Sequence, residues 1–136
     1  MPLFGAESKK QLATCDSDLQ VVMNEAIKYI NFSVIEGHRG QAAQEAAFAA
    51  GDTELHWPNG KHNKSPSLAV DIAPFPIDWS DSQRFVYFAG IIMGIAFKLK
   101  EEAKITHTLK WGGDWNNDTQ VKDESFRDLG HFELLI

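Results

Sequence analysis

Between Phe85 and Leu99 the chain is nearly all apolar, interrupted by Gly90 and Gly94. The run is shorter than the ~20 residues that a membrane span requires, so it is not read as one. Ser80-Asp81-Ser82-Gln83 just before it has the form of a capping box, which predicts a helix over 81–102. Apolar character on most sides of that helix places it in the middle of a core. With 136 residues there is material for one domain, 1–136, and no linker, repeat or low-complexity segment divides it.

The other elements follow from period and punctuation. Leu19, Val22, Met23, Ala26, Ile27 and Ile30 recur at helical spacing after the N-cap types Asp16 and Ser17, with a short helix expected at Ser8–Leu12. Phe32–Gly37 reads as a strand, and the alanine-rich Gln41–Ala50 as a helix stopped by Gly51. Residues 52–67 form a loop of about 15 residues, a length that is usually functional. Leu68–Ala73, Ile105–Trp111 and Leu129–Leu135 read as strands, with a polar stretch from Gly112 to Arg127. Helices and strands in mixed order with short crossovers imply an α+β fold with a small, mostly antiparallel sheet.

Composition excludes several classes. An apolar share of 43% with 24% charged residues is that of a folded globular chain rather than a disordered one or a coiled coil. A net charge of −6 without a Lys/Arg stripe argues against nucleic acid as a partner. The lone Cys15 excludes an internal disulfide framework, fits a reducing compartment and is expected to be inert. The N-terminus lacks a basic start followed by an apolar run, so no signal peptide is expected.

Alternation singles out the chemistry. Along Leu68–Ala73, Leu68, Val70 and Ile72 face one way, and Asp71 stands between Ala69 and Ala73 on the other. A carboxylate there must be paired or bind metal. The last strand repeats the pattern, with Phe132 and Leu134 on one face and His131 and Glu133 on the other. His62, nine residues before Asp71, lies in the loop that leads into its strand. Two histidines and a carboxylate are a common catalytic zinc set. The alternative is a solvated loop histidine, a salt-bridged aspartate and a polar strand face.

Four segments in order resemble the M15 zinc metallopeptidases. His62, a short spacer and the Ala69-Val70-Asp71 strand resemble the first zinc motif of the phage and bacterial members. Asp128-Leu129-Gly130-His131 is similar to the second motif, an acidic residue three positions before the last histidine. Gly37-His38-Arg39 with Gln44 resembles the segment upstream of the first motif, and Lys110-Trp111-Gly112-Gly113-Asp114-Trp115 the aromatic-glycine segment before the last. Phe4 and Lys9–Thr14 resemble the start of the phage L-alanyl-D-glutamate endopeptidases, which are endolysins. Histidine and aspartate stand further apart here than in some members, and the acidic residue, glutamate in some branches, is Asp128.

The resemblance implies a hedgehog/DD-peptidase-like zinc peptidase fold with one catalytic Zn2+ held by His62, Asp71 and His131. Asp128 is then the general base; a cap or a pair with Arg127 is the alternative. Arg39 is expected at the scissile carbonyl oxygen or at a substrate carboxylate, with an ion pair to Glu36 or Glu45 as the alternative. Gln44 orients Arg39 or substrate, or is an exposed helix residue. Trp111 and Trp115 are cleft wall or plain core. His38 is left out of the site, and His56 and His107 are expected at the surface or as satisfied core groups. Asp114–Asp118 with Asp123 and Glu124 has oxygen ligands enough for a regulatory Ca2+, or is a solvated acidic loop. The implied function is cleavage of the L-Ala–D-Glu bond in the stem peptide of peptidoglycan. Rival functions are a D-Ala–D-Ala or L-Ala–D-Ala carboxypeptidase and a non-catalytic, zinc-containing wall-binding module. The expected protein is a monomer without a wall-binding module or membrane insertion. It would stay in the host cytoplasm until a separate holin gives it access to the wall.

Overall fold

A computed structural model describes residues 2–122 and 127–136. Its elements are α1 (Ala6–Leu12), α2 (Ser17–Ala26), β1 (Phe32–Glu36), α3 (Gln41–Ala49), a short 3-10 helix (Lys61–Asn63), β2 (Ala69–Pro74), α4 (Ser82–Glu101), β3 (Thr108–Trp111) and β4 (His131–Leu135). The strands form one four-stranded sheet in the order β1-β2-β4-β3, every pair antiparallel. This is the α+β architecture that the order of elements implies.

One face of the sheet makes the core. Val34, Val70, Ile72, Leu109, Phe132 and Leu134 are all buried there, with Phe88, Ala89, Ile92 and Ala96 of α4 and Leu19, Val22, Met23 and Ala26 of α2. The ring of Phe32 lies 5.2 Å from that of Phe4 and 5.3 Å from that of Phe88. The outer edge of β1 is closed by the N-terminal segment, which removes an open template for strand pairing. Val34 N–H donates to Ser8 Oγ at 3.0 Å, and His38 N–H to Thr14 Oγ1 at 2.8 Å.

Two expectations about α4 need correction. The helix is not central: Tyr87 is 72% and Phe97 59% exposed. The sheet has a single core face, because its other face carries the polar side chains described below, so α4 has neighbours on one side only. Its cap is not Ser80 but Asp81, whose carboxylate accepts from Arg84 N–H at 3.1 Å. Ser80 instead donates its hydroxyl to Asp78 Oδ1 at 2.6 Å. At α2 the expected cap is found, with Asp16 accepting from Asp18 N–H at 2.9 Å. Gly51 follows α3 at φ +80°, a conformation open to glycine at little cost.

Candidate metal centre

The second face of the sheet is built by register. Asp71 of β2 lies directly opposite His131 of β4, so both side chains leave the same face side by side. Glu36 of β1 pairs with Asp71 on the other side. Strict alternation would put Glu36 with the buried Phe32 and Val34, but the register slips between Val34 and Glu36, and this bulge turns its carboxylate toward Asp71. Ala69 and Ala73 flank Asp71 without filling the space before it.

His62 enters from the 3-10 helix. Asn63 anchors that turn: its Oδ1 accepts from Gly60 N–H at 2.9 Å, and its Nδ2 donates to Arg39 O and Gln44 Oε1, both at 3.0 Å. His62 Nδ1 lies 2.7 Å from Gly37 O, which can only accept, so that nitrogen carries the hydrogen and Nε2 keeps its lone pair. His131 Nε2 lies 2.9 Å from Glu133 Oε1, which turns Nδ1 to the same point. His62 Nε2, His131 Nδ1 and Asp71 Oδ1 stand 3.2, 3.2 and 3.3 Å apart. A carboxylate oxygen and two ring nitrogens converging at that spacing need either a shared proton or a cation among them. Bonds of about 2.0–2.1 Å in a tetrahedron put ligand atoms about 3.3–3.4 Å apart, so the donor set and its spacing fit a zinc-sized ion.

Protons relieve the convergence when no metal is bound. Burial opposes charge on His131, but the hydrogen bonds and charges of Asp71 and Glu133 prevail and raise its pKa to about 9. Burial likewise favours the neutral form of Asp71, yet the two histidines hold its carboxyl well below the usual range.

Asp128 and Arg39 frame the cluster. Asp128 Oδ2 is 4.0 Å from His131 Nδ1. Its backbone is fixed against Gly112, where N–H donates to Gly112 O at 2.9 Å and a Cβ on the glycine would come within 2.2 Å of Asp128 O. Burial first, and then the charge of Asp71, lift the Asp128 pKa to about 6 against the pull of His131, His62 and Arg39. A carboxyl in that range can both take and return a proton near neutrality. No ion pair joins it to Arg127 among the described residues.

Arg39 makes the ion pair with Glu36 that was weighed against a role at the substrate. Nε and Nη2 donate to Glu36 Oε1, Nη2 also reaches Asp71 Oδ2 at 3.4 Å, and Nη1 donates to Gln44 Oε1 at 3.1 Å. Those contacts engage four of its five N–H groups and leave one on Nη1. Glu45 is not its partner; that carboxylate holds His56 Nδ1 at 2.7 Å and Trp57 N–H at 2.8 Å. Gln44 is not an exposed helix residue: it is 1% exposed, and its Nε2 donates to Leu55 O at 2.7 Å. With both amide atoms engaged it orients Arg39. The two tryptophans separate. Trp111 is core, its indole N–H donating to Leu129 O at 2.8 Å, whereas Trp115 lines the cleft with its ring 5.4 Å from that of His131.

A cleft runs past the cluster in two lobes. The larger, about 660 Å³, is walled by Ala43, Ala46 and Ala47 of α3 and by Trp79 and Arg127. The smaller, about 190 Å³, is lined by Leu55, Trp115, His62, His131 and Glu133. Arg39, Asp52 and Asp128 line both lobes. Glu133 was legible as the neighbour of His131 on one strand face, but the bulge at Glu36 and the loop positions Asp52 and Arg127 leave no periodic signal.

The remaining expectations fall outside this cleft. Asp114 accepts from Asp118 N–H at 3.0 Å and Thr119 N–H at 2.8 Å, closing its own loop, and the calcium reading also needs Asp123 and Glu124, which lie outside the described residues. His38 Nδ1 meets Lys64 O at 2.9 Å. His107 Nδ1 meets Asp18 Oδ2 at 2.7 Å, and with Asp16 these form a second acid–histidine group at the foot of α2. Burial pushes the Cys15 thiol up to about 11, which keeps it unreactive.

The chain is similar to known proteins over nearly its whole length. Residues 2–135 match the family described as phage L-alanyl-D-glutamate peptidase. The L-alanyl-D-glutamate peptidase of Escherichia phage T5 is 32% identical over 142 residues, covering 97% of this chain and 97% of that protein. The crystal structure of the Serratia marcescens L-Ala D-Glu endopeptidase ChiX superposes with a TM-score of 0.73 at 24% identity, over 98% of this chain and 90% of that one, and so shares the fold.

Proposed function

The chain belongs to the phage L-alanyl-D-glutamate peptidase family, and on that premise we propose that its cleft hydrolyses the L-Ala–D-Glu bond of peptidoglycan stem peptides at a zinc ion held by His62, Asp71 and His131. The observation that carries the reading is the convergence of two imidazole nitrogens and one carboxylate oxygen, 3.2–3.3 Å apart, between the two lobes of one cleft. Space on both sides of the cluster suits cleavage within a chain and disfavours the carboxypeptidase alternative, which needs room for little beyond a C-terminus on one side. The carboxyl of Asp128 beside the cluster disfavours a purely binding module.

Zinc, when bound, polarises the scissile carbonyl and lowers the pKa of water to about 7. Asp128 accepts the proton of the attacking water as the new C–O bond forms at the alanyl carbonyl carbon. As the C–N bond breaks, Asp128 returns that proton to the leaving amine of D-glutamate. The remaining N–H on Arg39 Nη1 faces the charge that develops on the carbonyl oxygen, with Glu36 and Gln44 holding the guanidinium still. Trp115 forms the wall beside His131. The wider reading takes 1–136 as one peptidase domain acting as a monomer, reaching the wall from the host cytoplasm through a separate holin. No described helix is long and apolar enough to cross a membrane.

Purified peptidoglycan digested with the protein, and analysed by mass spectrometry, tests the reading. New L-Ala carboxyl and D-Glu amino termini are expected, and are lost with a chelator and with Asp128→Ala. Release of single D-Ala would move the protein to the carboxypeptidases. Absence of cleavage by a folded, zinc-loaded sample would refute the catalytic reading.

A further inference from the structure

A D-glutamate whose amine is bonded to L-alanine has two carboxyl groups. One continues the peptide; the other remains as a carboxylate or as its carboxamide. The larger lobe beside the cluster is lined by Glu36, Asp52, Asp71 and Asp128, on a chain of net charge −6. A free carboxylate is repelled there unless a cation is set aside for it. Among the described residues three cationic side chains line the cleft: Arg39, Lys61 and Arg127. Arg39 is committed to Glu36, Asp71 and Gln44. Lys61 is committed to Glu133 at 3.1 Å and to Leu134 O. Arg127 lines the larger lobe, is exposed, and makes no ion pair among the described residues. It precedes Asp128, whose backbone is tied to Gly112 at 2.9 Å, so it stands beside the proton-transfer group. A guanidinium takes a carboxylate with two parallel N–H···O bonds, which a carboxamide cannot accept in the same way.

Resting on the peptidase reading above, we propose that Arg127 is the specificity-determining residue of the cleft, binding the free carboxylate of D-glutamate and selecting it over the carboxamide. The test uses two synthetic L-Ala–D-Glu peptides that differ only in that group, carboxylate or carboxamide. The full chain, zinc-loaded, is compared with Arg127→Gln and Arg127→Lys. The parent should favour the acid by about tenfold or more in kcat/KM, the scale of a charge-assisted pair at a partly exposed site. Arg127→Gln should bring the ratio near one, mainly by raising KM for the acid, and Arg127→Lys should keep part of the preference. Each ratio is taken on one preparation and does not depend on how much of it is folded. An unchanged ratio in Arg127→Gln overturns the assignment, as does a parent that cuts both peptides equally well while the peptidase reading stands. A parent that cuts neither refutes the peptidase reading, and the assignment with it.

Discussion

Glu133 offers a test of the metal centre that does not pass through catalysis. Its Oε1 accepts from His131 Nε2 at 2.9 Å, and its Oε2 pairs with Lys61 Nζ at 3.1 Å. Burial opposes its charge, but His131 and Lys61 outweigh burial and keep its carboxyl below the ordinary range, so it is ionised at neutral pH. It therefore fixes which nitrogen of His131 carries hydrogen and makes the other a better donor to a metal. Glu133→Gln keeps an oxygen in place but removes the charge. Loss of such a partner typically weakens metal binding about 10–100-fold. That ratio is about 1.4–2.7 kcal/mol, and zinc-induced stabilisation should shrink by the same amount at equal free zinc. For a chain of this size each kcal/mol moves Tm by roughly 3–4 °C, so the zinc-dependent rise in Tm should be about 4–11 °C smaller. Competition with a chromophoric chelator gives the affinity and thermal melts give the shift. Glu45→Gln, which touches only the exposed His56 pair and the Trp57 N–H, is the control and should leave both unchanged. Zinc affinity within about twofold of the parent in folded Glu133→Gln, against the expected 10–100-fold, would refute the argument.

Other expectations follow from the same geometry. Asp128→Asn should lower kcat by about 10²–10⁴-fold while zinc affinity, read by the same chelator competition, stays near that of the parent; joint loss of both would make Asp128 part of the metal cage instead. Because His131 is raised to about 9 in the metal-free protein, it holds a proton at pH 7–8 that zinc must displace. Apparent affinity should rise with pH until about 9, and calorimetry in buffers of different ionisation enthalpy should find about one proton released per ion. Burial raises the Asp18 carboxyl, but bonds from His107 and Thr106 prevail and leave its pKa lowered. Its contribution is then present above the unfolded pKa and lost as pH falls through the folded one. Asp18→Asn should cost roughly 1–2 kcal/mol in urea unfolding at pH 7, a difference from the parent that fades in acid.

Some of this was open to reading in the chain and some was not, for reasons that differ by residue. Asp71 between two alanines, and His131 beside Glu133, stand out because a strand has period two, and a polar residue on an otherwise apolar strand must have a purpose. Their meeting was not readable from period. It depends on β2 and β4 pairing across 56 intervening positions at a register no local pattern encodes, and there the family motifs carried the expectation. The cap of α4 shows a smaller ambiguity. Ser80, Asp81 and Ser82 are all capping types, and the choice falls on the residue whose backbone leaves the helix, Asp81 at φ −89° and ψ 77°.

Helix α3 shows why the site itself misleads a reading by polarity. By composition its alanines should be buried and Gln44 exposed. The reverse holds: Gln44 is the buried residue of the helix, and Ala43 and Ala46 are exposed in the wall of the larger lobe. A helix that served only the core would turn its methyl groups inward. This one turns an amide inward because Arg39 and Asn63 both need an acceptor there, and Leu55 O needs a donor. It turns methyl groups outward because they leave the cleft wide. The inversion is a mark of function that a single sequence hides, since an outward alanine and an inward glutamine look like their opposites until the cleft is seen. Gln44→Leu, which keeps the volume but removes the acceptor and the donor, should therefore loosen Arg39 and cost activity well beyond any loss of stability. Arg39→Ala on that background should add less to the loss than it does alone, because the two residues act as one unit.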